Sequence, residues 1–325
     1  MKASLDTVLK ENGIMVIDGS MSTALEQMGA DLNDKLWTAK VLAEQPELVK
    51  EVHKDYFRAG ADCGITCSYQ ATLPGFLARG YSREESEELI RRSVRLFLEA
   101  RDEWWAEEGE RAGRSYPLCL AGMGPYGAYL ADGSEYRGKY GVSRETLYEF
   151  HRRRTELLLE AGADLLLFET QPSLEEVLIE AEIAESLGAD YWISFSCRDG
   201  SRICEGTPIR ECAAALSPEK YPHLKMIGIN CTEPQWIVSL IRELKACTTL
   251  PVGVYPNSGK VYDPVTKTWS GDGGAHDFGT YVRKYLSAGA DAVGGCCTTT
   301  AVHIRETAEV RDRFLQAGRP AAVRP

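Results

Sequence analysis

Apolar runs and helical segments alternate along the chain, and a recurring glycine marks several of the joints between them. The phrase AGAD occurs at residues 59–62, 161–164 and 288–291, and LGAD occurs at 187–190. Each time, a segment with helical periodicity precedes the phrase and a short apolar run follows it. Because glycine suits the left-handed residue that ends a helix, each phrase predicts a connection from a helix to a strand.

Eight short apolar runs predict buried β-strands. The predicted strands are residues 14–19, 63–68, 118–123, 165–170, 192–197, 226–231, 251–256 and 292–297. Near-continuous apolar strands are typical of a parallel sheet that is covered on both faces. Eight of them alternating with helices predict an α/β protein with a (β/α)8 TIM-type barrel, forming a single domain over residues 1–325. A doubly wound open sheet is the alternative, although such sheets usually have fewer strands in one domain.

Composition and charge narrow the class of partner. The chain has 325 residues, of which 44% are hydrophobic, and this is enough for a full core. The 37 Lys and Arg residues against 48 Asp and Glu residues give a formal net charge of −11. An acidic chain without a basic run argues against nucleic acid or an anionic membrane as a partner.

The N-terminal region and the cysteine content indicate the compartment. The first residues lack the apolar core of a signal peptide, and no stretch has the length of a membrane span. We therefore expect a cytoplasmic protein. Its ten cysteines are then expected to be thiols or metal ligands rather than disulfides.

Three cysteines end predicted strands and are candidate metal ligands. Cys231 ends the run GINC, and Cys296 and Cys297 end the run GGCC. A barrel brings these strand ends to one mouth, where three thiolates with one open position form the pattern of a catalytic zinc site. Adjacent cysteines reach one metal only if the chain leaves strand geometry, which Gly294 and Gly295 make easier. A redox pair is the alternative, although adjacent cysteines form a disulfide only with strain.

Two carboxylates and a hydroxyl also end predicted strands. Asp18 ends the first run, Ser68 the second and Glu169 the fourth. Buried carboxylates at a barrel mouth act as general acids or bases, or bind a cationic group such as an α-ammonium. Structural hydrogen bonds to a neighbouring loop would explain the same positions, so residue type and position leave both roles open.

Several motifs together resemble those of the zinc-dependent homocysteine S-methyltransferases, and they extend over nearly the whole chain. They are IDGSMSTALEQMG, LWTAKVL, ITCSYQAT, GPYGAYLADGSEYRG, LLLFET, GINC, VYPNSGKVYDPVTKTW and GGCCTTT. The GINC and GGCC motifs mark the wider family. SYQAT, ADGSEYRG and the YPNSG region resemble the branch that uses S-methylmethionine or S-adenosylmethionine as methyl donor.

The resemblance implies a barrel with one Zn²⁺ and a bound amino acid. The implied metal ligands are Cys231, Cys296 and Cys297, and the predicted substrate-binding residues are Asp18, Met21, Ser68, Glu169 and Asn230. Asp18 and Glu169 are implied to contact the amino group of L-homocysteine. Its carboxylate is implied to meet backbone N–H groups of the loop 19–23, which includes Met21.

The implied reaction transfers a methyl group from the sulfonium donor to the zinc-bound thiolate of L-homocysteine and yields methionine. Because the donor carries its own positive charge, we expect no catalytic residue beyond the zinc ligands. A betaine-type homocysteine methyltransferase is one alternative, against which the YPNSG loop argues. Another is a non-enzymatic protein with a structural zinc site, but only three convincing ligands are visible and an open site is favoured.

Overall fold

Ten β-strands lie within residues 3–259, 261–263, 268–270 and 278–318, which are the residues that the computed structural model describes. They are β1 (Met15–Val16), β2 (Cys63–Ile65), β3 (Leu118–Met123), β4 (Leu165–Gln171), β5 (Tyr191–Phe195), β6 (Leu224–Asn230), β7 (Val252–Tyr255), β8 (Val261–Asp263), β9 (Thr268–Ser270) and β10 (Ala292–Val293). The strands β1 to β7 and β10 are almost entirely buried, as expected of parallel strands that are covered on both faces.

Eight strands form one parallel sheet whose spatial order follows the sequence. Hydrogen bonds connect them in the order β1-β10-β7-β6-β5-β4-β3-β2, and every pair is parallel. The two remaining strands, β8 and β9, pair with each other in antiparallel fashion. A doubly wound sheet would reverse its strand order at a switch point. Here the order is cyclic, and the two strands at its ends, β1 and β2, are neighbours in sequence.

The gap between β1 and β2 is closed mainly by Asp62, which immediately precedes β2. Its backbone N–H donates to the Val16 carbonyl at 2.8 Å, and its carboxylate accepts the Val16 N–H at 2.8 Å. The sheet is therefore a nearly closed barrel, and the predicted (β/α)8 TIM-type fold is confirmed.

Helices alternate with the barrel strands and cover the outside of the sheet. They are α1 (Leu5–Asn12), α2 (Met21–Gln27), α3 (Thr38–Glu44), α4 (Pro46–Ala59), α5 (Leu73–Ala78), α6 (Arg83–Trp104), α7 (Tyr126–Leu130), α8 (Arg144–Glu160), α9 (Leu174–Ser186), α10 (Ile209–Ala215), α11 (Ile237–Lys245), α12 (Phe278–Ala288) and α13 (Ala301–Gln316). A short π-helical turn spans Trp105–Gly109, and 3₁₀ turns span Ser134–Tyr136 and Pro234–Trp236.

The four repeated glycines end helices in the way that the repeated phrase predicts. Gly60, Gly162, Gly188 and Gly289 have φ angles of 113°, 97°, 61° and 104°, all in the left-handed region. They follow α4, α8, α9 and α12, and each precedes a barrel strand. A residue with a side chain is strained in this conformation, so glycine ends these helices at little cost.

Several strands are shorter than the sequence predicts. Regular pairing ends at Val16 rather than 19, at Ile65 rather than 68, at Phe195 rather than 197 and at Val293 rather than 297. The chain turns at the mouth while still hydrogen-bonding to its neighbours, for example from the Gly295 N–H to the Asp18 carbonyl at 3.2 Å. Most of the polar residues assigned to strand ends therefore lie in the loops directly after them.

The interior of the barrel is filled by side chains from alternating strand positions. Trp192 is the largest of them, and two glycines make room for its ring. A Cβ atom at Gly253 would lie 2.3 Å from the Trp192 ring, and one at Gly228 would lie 3.0 Å from its Nε1. A second apolar layer between sheet and helices completes the core.

Three expectations concern the chain as a whole. Among the described residues, no helix combines the length and apolar character needed to cross a membrane. All ten cysteines are free thiols. The predicted domain span of 1–325 includes residues 1–2, 260, 264–267, 271–277 and 319–325, which lie outside the described residues, and part of the YPNSG motif region falls among them.

Candidate metal centre and substrate cavity

Three cysteines from two strand ends lie together at the mouth of the barrel. Cys231 follows β6, and Cys296 and Cys297 lie in the turn that follows β10. The Cys231 Sγ atom is 3.4 Å from Cys297 Sγ, which is 4.0 Å from Cys296 Sγ. All three sulfur atoms lie within 4.8 Å of one another, so the structure brings the predicted ligand set together.

These sulfur–sulfur distances suit a tetrahedral metal ion. With metal–sulfur bonds of about 2.3 Å, two sulfur ligands on a tetrahedron are separated by about 3.8 Å. Thiolates bind zinc and other thiophilic ions in preference to oxygen-seeking cations such as Mg²⁺. The three cysteines could therefore hold a metal ion and would leave one of four positions for another ligand.

Adjacent cysteines reach the same point because the chain leaves strand geometry after β10. The Cys296 N–H donates to the Pro256 carbonyl at 2.7 Å, and a turn follows. A Cβ atom at Gly294 would lie 2.6 Å from Ile17 Cβ, and one at Gly295 would lie 2.4 Å from Thr299 Oγ1. Neither glycine has a positive φ, so their importance here is the space that they leave for the turn.

The three thiols share their protons unequally. Hydrogen bonds from Cys296 and Cys297 lower the pKa of Cys231 well below its ordinary value. The hydrogen-bonded Cys231 in turn raises the pKa values of Cys296 and Cys297 well above theirs. A single thiolate is thus favoured when no cation is near, and a divalent cation would favour ionisation of all three.

Two buried carboxylates, Asp18 and Glu169, lie near the thiols where glycines leave room for them. A Cβ atom at Gly122 would lie 2.8 Å from Glu169 Oε1, and one at Gly64 would lie 3.0 Å from Asp18 Oδ2. Any other residue at these two positions would therefore press on a carboxylate.

Burial raises the pKa of both carboxyl groups. Burial raises the pKa of Asp18 well above its ordinary value, although the Ile65 N–H donates to its Oδ2 at 2.9 Å. Burial, together with the electrostatic influence of the nearby Cys296 sulfur, raises the pKa of Glu169 to about 8. Asp18 Oδ1 has no hydrogen-bond partner among the described residues. A cationic ligand group beside these oxygens would favour the ionised carboxylates and satisfy the unpartnered oxygen.

A cavity of about 610 Å³ opens beside the thiols and is large enough for amino-acid substrates. Gly19, Ser20 and the first turn of α2, including Met21, line it, and Glu169 lines it from β4. The three cysteines form another part of its wall. Asp18 is almost fully buried behind this lining.

Ser68 and Asn230 are fully buried and face protein groups. The Ser68 hydroxyl donates to the Gly122 carbonyl at 2.6 Å. Asn230 Oδ1 accepts the Thr170 N–H at 2.8 Å, and its Nδ2 donates to the Thr170 hydroxyl at 2.8 Å. Neither side chain lines the cavity, so their roles as substrate-binding residues stay predictions, and these contacts favour support of the site from behind.

Tyr136 is a site residue that sequence reasoning missed. Its hydroxyl lies 3.1 Å from Cys231 Sγ, and its ring lines the cavity. Tyr136 is part of the ADGSEYRG motif that supports the family resemblance, so the motif carried the signal without indicating a role.

Strained backbone is concentrated at the same mouth. Trp37, Thr170, Cys231 and Thr298 have positive φ angles of 46°, 60°, 47° and 64°, although none is glycine. Trp37 and Thr170 line the cavity, Cys231 is a candidate ligand, and Thr298 directly follows another. Such conformations persist only where the surrounding structure imposes them, and they are enriched at functional sites.

Comparison with known proteins places these features in a family. Residues 15–311 match the family model described as homocysteine S-methyltransferase. A homocysteine S-methyltransferase of Bacillus subtilis, YbgG, is 50% identical over 93% of this chain and 95% of its own length. A selenocysteine Se-methyltransferase of Brassica oleracea is 44% identical over 93% of this chain and 90% of its own length.

The structural comparison agrees with the sequence comparison. The metallated form of the homocysteine methyltransferase MmuM from Escherichia coli superposes with a TM-score of 0.84 at 43% identity. The match covers 94% of this chain and 99% of that chain. From this coverage, and from the family model that matches residues 15–311, the chain belongs to the homocysteine S-methyltransferase family.

Proposed function

We propose that the protein is a homocysteine S-methyltransferase that holds Zn²⁺ through Cys231, Cys296 and Cys297. Its acceptor substrate is L-homocysteine, and its methyl donor is a sulfonium, either S-methylmethionine or S-adenosylmethionine. The observation that carries the proposal is the cluster of three thiols within 4.8 Å of one another at the edge of a substrate-sized cavity. The cytoplasmic location expected from the sequence is part of the same proposal, since free thiols persist in a reducing compartment.

The thiols supply a metal site with one position left for a substrate. When bound, Zn²⁺ stabilises the ionised form of a thiol at neutral pH, where a free thiol is only a few per cent ionised. The chain's own contribution is the rigid placement of the three sulfur atoms by β6, by the turn after β10 and by the two close-packed glycines.

In this proposal Glu169 and Asp18 bind the α-ammonium of homocysteine. Both carboxyl groups are buried, both have raised pKa values, and Asp18 Oδ1 has no partner among the described residues. An ammonium group would therefore replace protons that these carboxyl groups otherwise retain. Loss of one charge-assisted hydrogen bond in Glu169→Gln should raise the KM for homocysteine at least about tenfold.

The methyl donor is suited to the remaining part of the cavity. Trp37, Tyr69 and Tyr136 line it, and the rings of Trp37 and Tyr69 meet edge to face at 6.4 Å. Aromatic faces attract a cation that has no hydrogen-bond donors, and a sulfonium is such a cation.

Methyl transfer itself needs little from the protein besides alignment. The homocysteine sulfur forms a bond to the methyl carbon as the bond from that carbon to the donor sulfur breaks. The electron pair of the breaking bond neutralises the donor sulfur, so no proton moves in this step. With S-methylmethionine the reaction gives two methionines, and holding both reactants in line can supply several kcal/mol of the barrier reduction.

A donor panel tests the proposal. The zinc-loaded protein is assayed for methionine formation from homocysteine with S-methylmethionine, S-adenosylmethionine or betaine. We expect turnover with one or both sulfonium donors and no turnover with betaine. Methionine formation with betaine as the only active donor would establish the betaine-type alternative. Absence of methionine with every donor would refute the proposed activity.

One relative motivates a second acceptor in the same assay. Because the Brassica oleracea relative is named a selenocysteine Se-methyltransferase, selenocysteine is tested in place of homocysteine. A selenol ionises more readily than a thiol and is a stronger nucleophile, so the same site could methylate it. The ratio of kcat/KM for the two acceptors defines the acceptor preference.

A further inference from the structure

A cluster of buried polar side chains lies outside the cavity, between α8 and α9. It consists of His151 and Arg154 from α8 and Glu176 and Glu180 from α9, all of them fully buried or nearly so. His151 Nε2 is 2.8 Å from Glu176 Oε1 and 3.3 Å from Glu180 Oε1. The proposed reaction uses none of these groups, yet burying four polar side chains is costly unless hydrogen bonds and charge pairs compensate.

The hydrogen bonds favour a proton over a metal ion in this cluster. The Arg154 guanidinium donates to His151 Nδ1 at 3.1 Å, and arginine has no acceptor, so the ring proton lies on Nε2. His151 Nε2 therefore donates to Glu176 Oε1 and has no lone pair for a metal. The nearby positive charge of Arg154 opposes a cation further.

Glu176 connects this cluster to the segment that follows β3. Its Oε1 accepts the Tyr126 N–H at 2.6 Å, and its Oε2 accepts the Tyr140 hydroxyl at 2.8 Å. Together with the bond from His151, three donors converge on the two oxygens of this one side chain. Both ends of the segment 126–140 are thus held by a single side chain.

The two ends of the segment 126–140 pack tightly against the 3₁₀ turn in its middle. A Cβ atom at Gly127 would lie 2.6 Å from the Tyr140 ring, 2.6 Å from the Ser134 carbonyl carbon and 2.7 Å from the Glu135 nitrogen. Gly127 is therefore pressed between the anchored Tyr140 and the 3₁₀ turn Ser134–Tyr136. That turn presents the Tyr136 hydroxyl to Cys231 Sγ at 3.1 Å.

We infer that Glu176 is a positioning residue for the metal centre, acting through the segment 126–140 to hold the Tyr136 hydroxyl on the Cys231 sulfur. A hydrogen bond to a ligating thiolate withdraws electron density from it and fixes its orientation, as supporting contacts around metal sites generally do. The inference rests on the proposed metal site, but the anchoring of the segment by Glu176 is independent of any metal.

Two readouts test the inference with the full chain. The first is amide hydrogen exchange of metal-free protein over residues 126–140. In Glu176→Gln we expect exchange about tenfold faster or more, since a charge-assisted hydrogen bond is lost. The second is the sulfur-to-cobalt charge-transfer absorption of the Co²⁺-loaded protein, which we expect to shift in Glu176→Gln in the same direction as in Tyr136→Phe. In the double variant, Glu176→Gln should add no further shift to that of Tyr136→Phe.

Matched variants separate positioning from general destabilisation. Asp164→Asn changes a largely buried carboxylate that is paired with Arg101 and directly precedes β4, whereas Glu176 lies beyond the other end of that strand. It should lower stability and leave both readouts at their wild-type values. Tyr140→Phe removes only one hydrogen bond to Glu176 and gives a milder variant of the same effect if Glu176→Gln does not fold.

The outcomes are distinguishable. Unchanged exchange over 126–140 in both Glu176→Gln and Tyr140→Phe, or a cobalt spectrum that shifts as much in Asp164→Asn, would overturn the inference. An additive shift in the double variant would do the same. If the wild-type protein shows no cobalt–thiolate absorption, the proposed metal site fails, whereas the exchange experiment still decides whether Glu176 anchors the segment.

Discussion

At the scale of single residues, the candidate site depends on side chains whose neighbours are as important as their own chemistry. Asp18 and Glu169 fit beside the thiols because positions 64 and 122 lack a Cβ atom. These carboxylates could be predicted from sequence because each follows an apolar run. The Tyr136 contact with Cys231 could not, because it joins a loop and a strand end that are 95 residues apart.

Cys297 is the ligand whose substitution tests the metal site most directly, since its sulfur lies close to both others. We expect Cys297→Ser to lose stoichiometric zinc and methyl transfer, because a hydroxyl is a much weaker zinc ligand than a thiolate. The fold should persist, since Cys297 is partly exposed and contributes little to the core. Metal analysis and circular dichroism measure both properties.

The control for this substitution is Cys247→Ser, which removes an exposed thiol that is not part of the cluster. It should keep one zinc per chain and full activity. Retention of stoichiometric zinc by Cys297→Ser would contradict the ligand assignment, whatever the activity of that variant.

At the scale of elements, helix ends could be predicted better than strand ends. The four glycines at 60, 162, 188 and 289 end helices because the backbone itself demands a left-handed residue, and this demand is local. The strands end early because hydrogen bonds at the mouth go to loops that are distant in sequence, such as Cys296 N–H to the Pro256 carbonyl. Apolar composition continues through these turns and gives no sign of them.

The helix α4 carries a residue that predicts how the protein responds to acid. His53 is fully buried, packs on Phe97 with ring centroids 4.9 Å apart, and has no hydrogen-bond partner for either ring nitrogen among the described residues. Burial lowers the pKa of His53 to about 3 from an ordinary value of 6.5. Between these two pKa values His53 is protonated in the unfolded chain and neutral in the folded chain. The free energy of unfolding therefore falls as the pH falls below 6.5.

We expect His53→Leu to remove this part of the acid sensitivity. The free energy of unfolding of the wild type should fall by up to about 1.4 kcal/mol for each pH unit below 6.5 through this residue, and the variant should lack that slope. Urea unfolding at several pH values between 4 and 7 measures the difference. Parallel pH dependence of the two proteins would show that His53 is not its origin, and His223→Gln provides a half-buried histidine as control.

At the scale of the whole molecule, the barrel is held shut by charged groups as well as by strand pairing. Where β1 and β2 lack a regular ladder, Asp62 bonds to the Val16 backbone and also pairs with Arg311 at 2.8 Å and Arg114 at 3.2 Å. Arg311 in turn donates to the Ile14 carbonyl at 2.9 Å. This network joins β1, β2 and the C-terminal helix α13 at the end of the barrel opposite the cysteines.

Because this network is buried, breaking it should cost far more than breaking a surface pair. Asp62→Asn removes the buried carboxylate that pairs with Arg311 and Arg114 and leaves Arg311 only the exposed Asp312 carboxylate. We expect a loss of about 3–5 kcal/mol in the free energy of unfolding. Glu160→Gln, which breaks exposed pairs with Arg91 and Arg153, should cost about 1 kcal/mol or less. Folded Asp62→Asn protein should still bind one zinc, since this charged network lies at the end of the barrel opposite the cysteines. Equal stability of the two variants in urea would show that strand pairing and core packing alone hold the barrel closed.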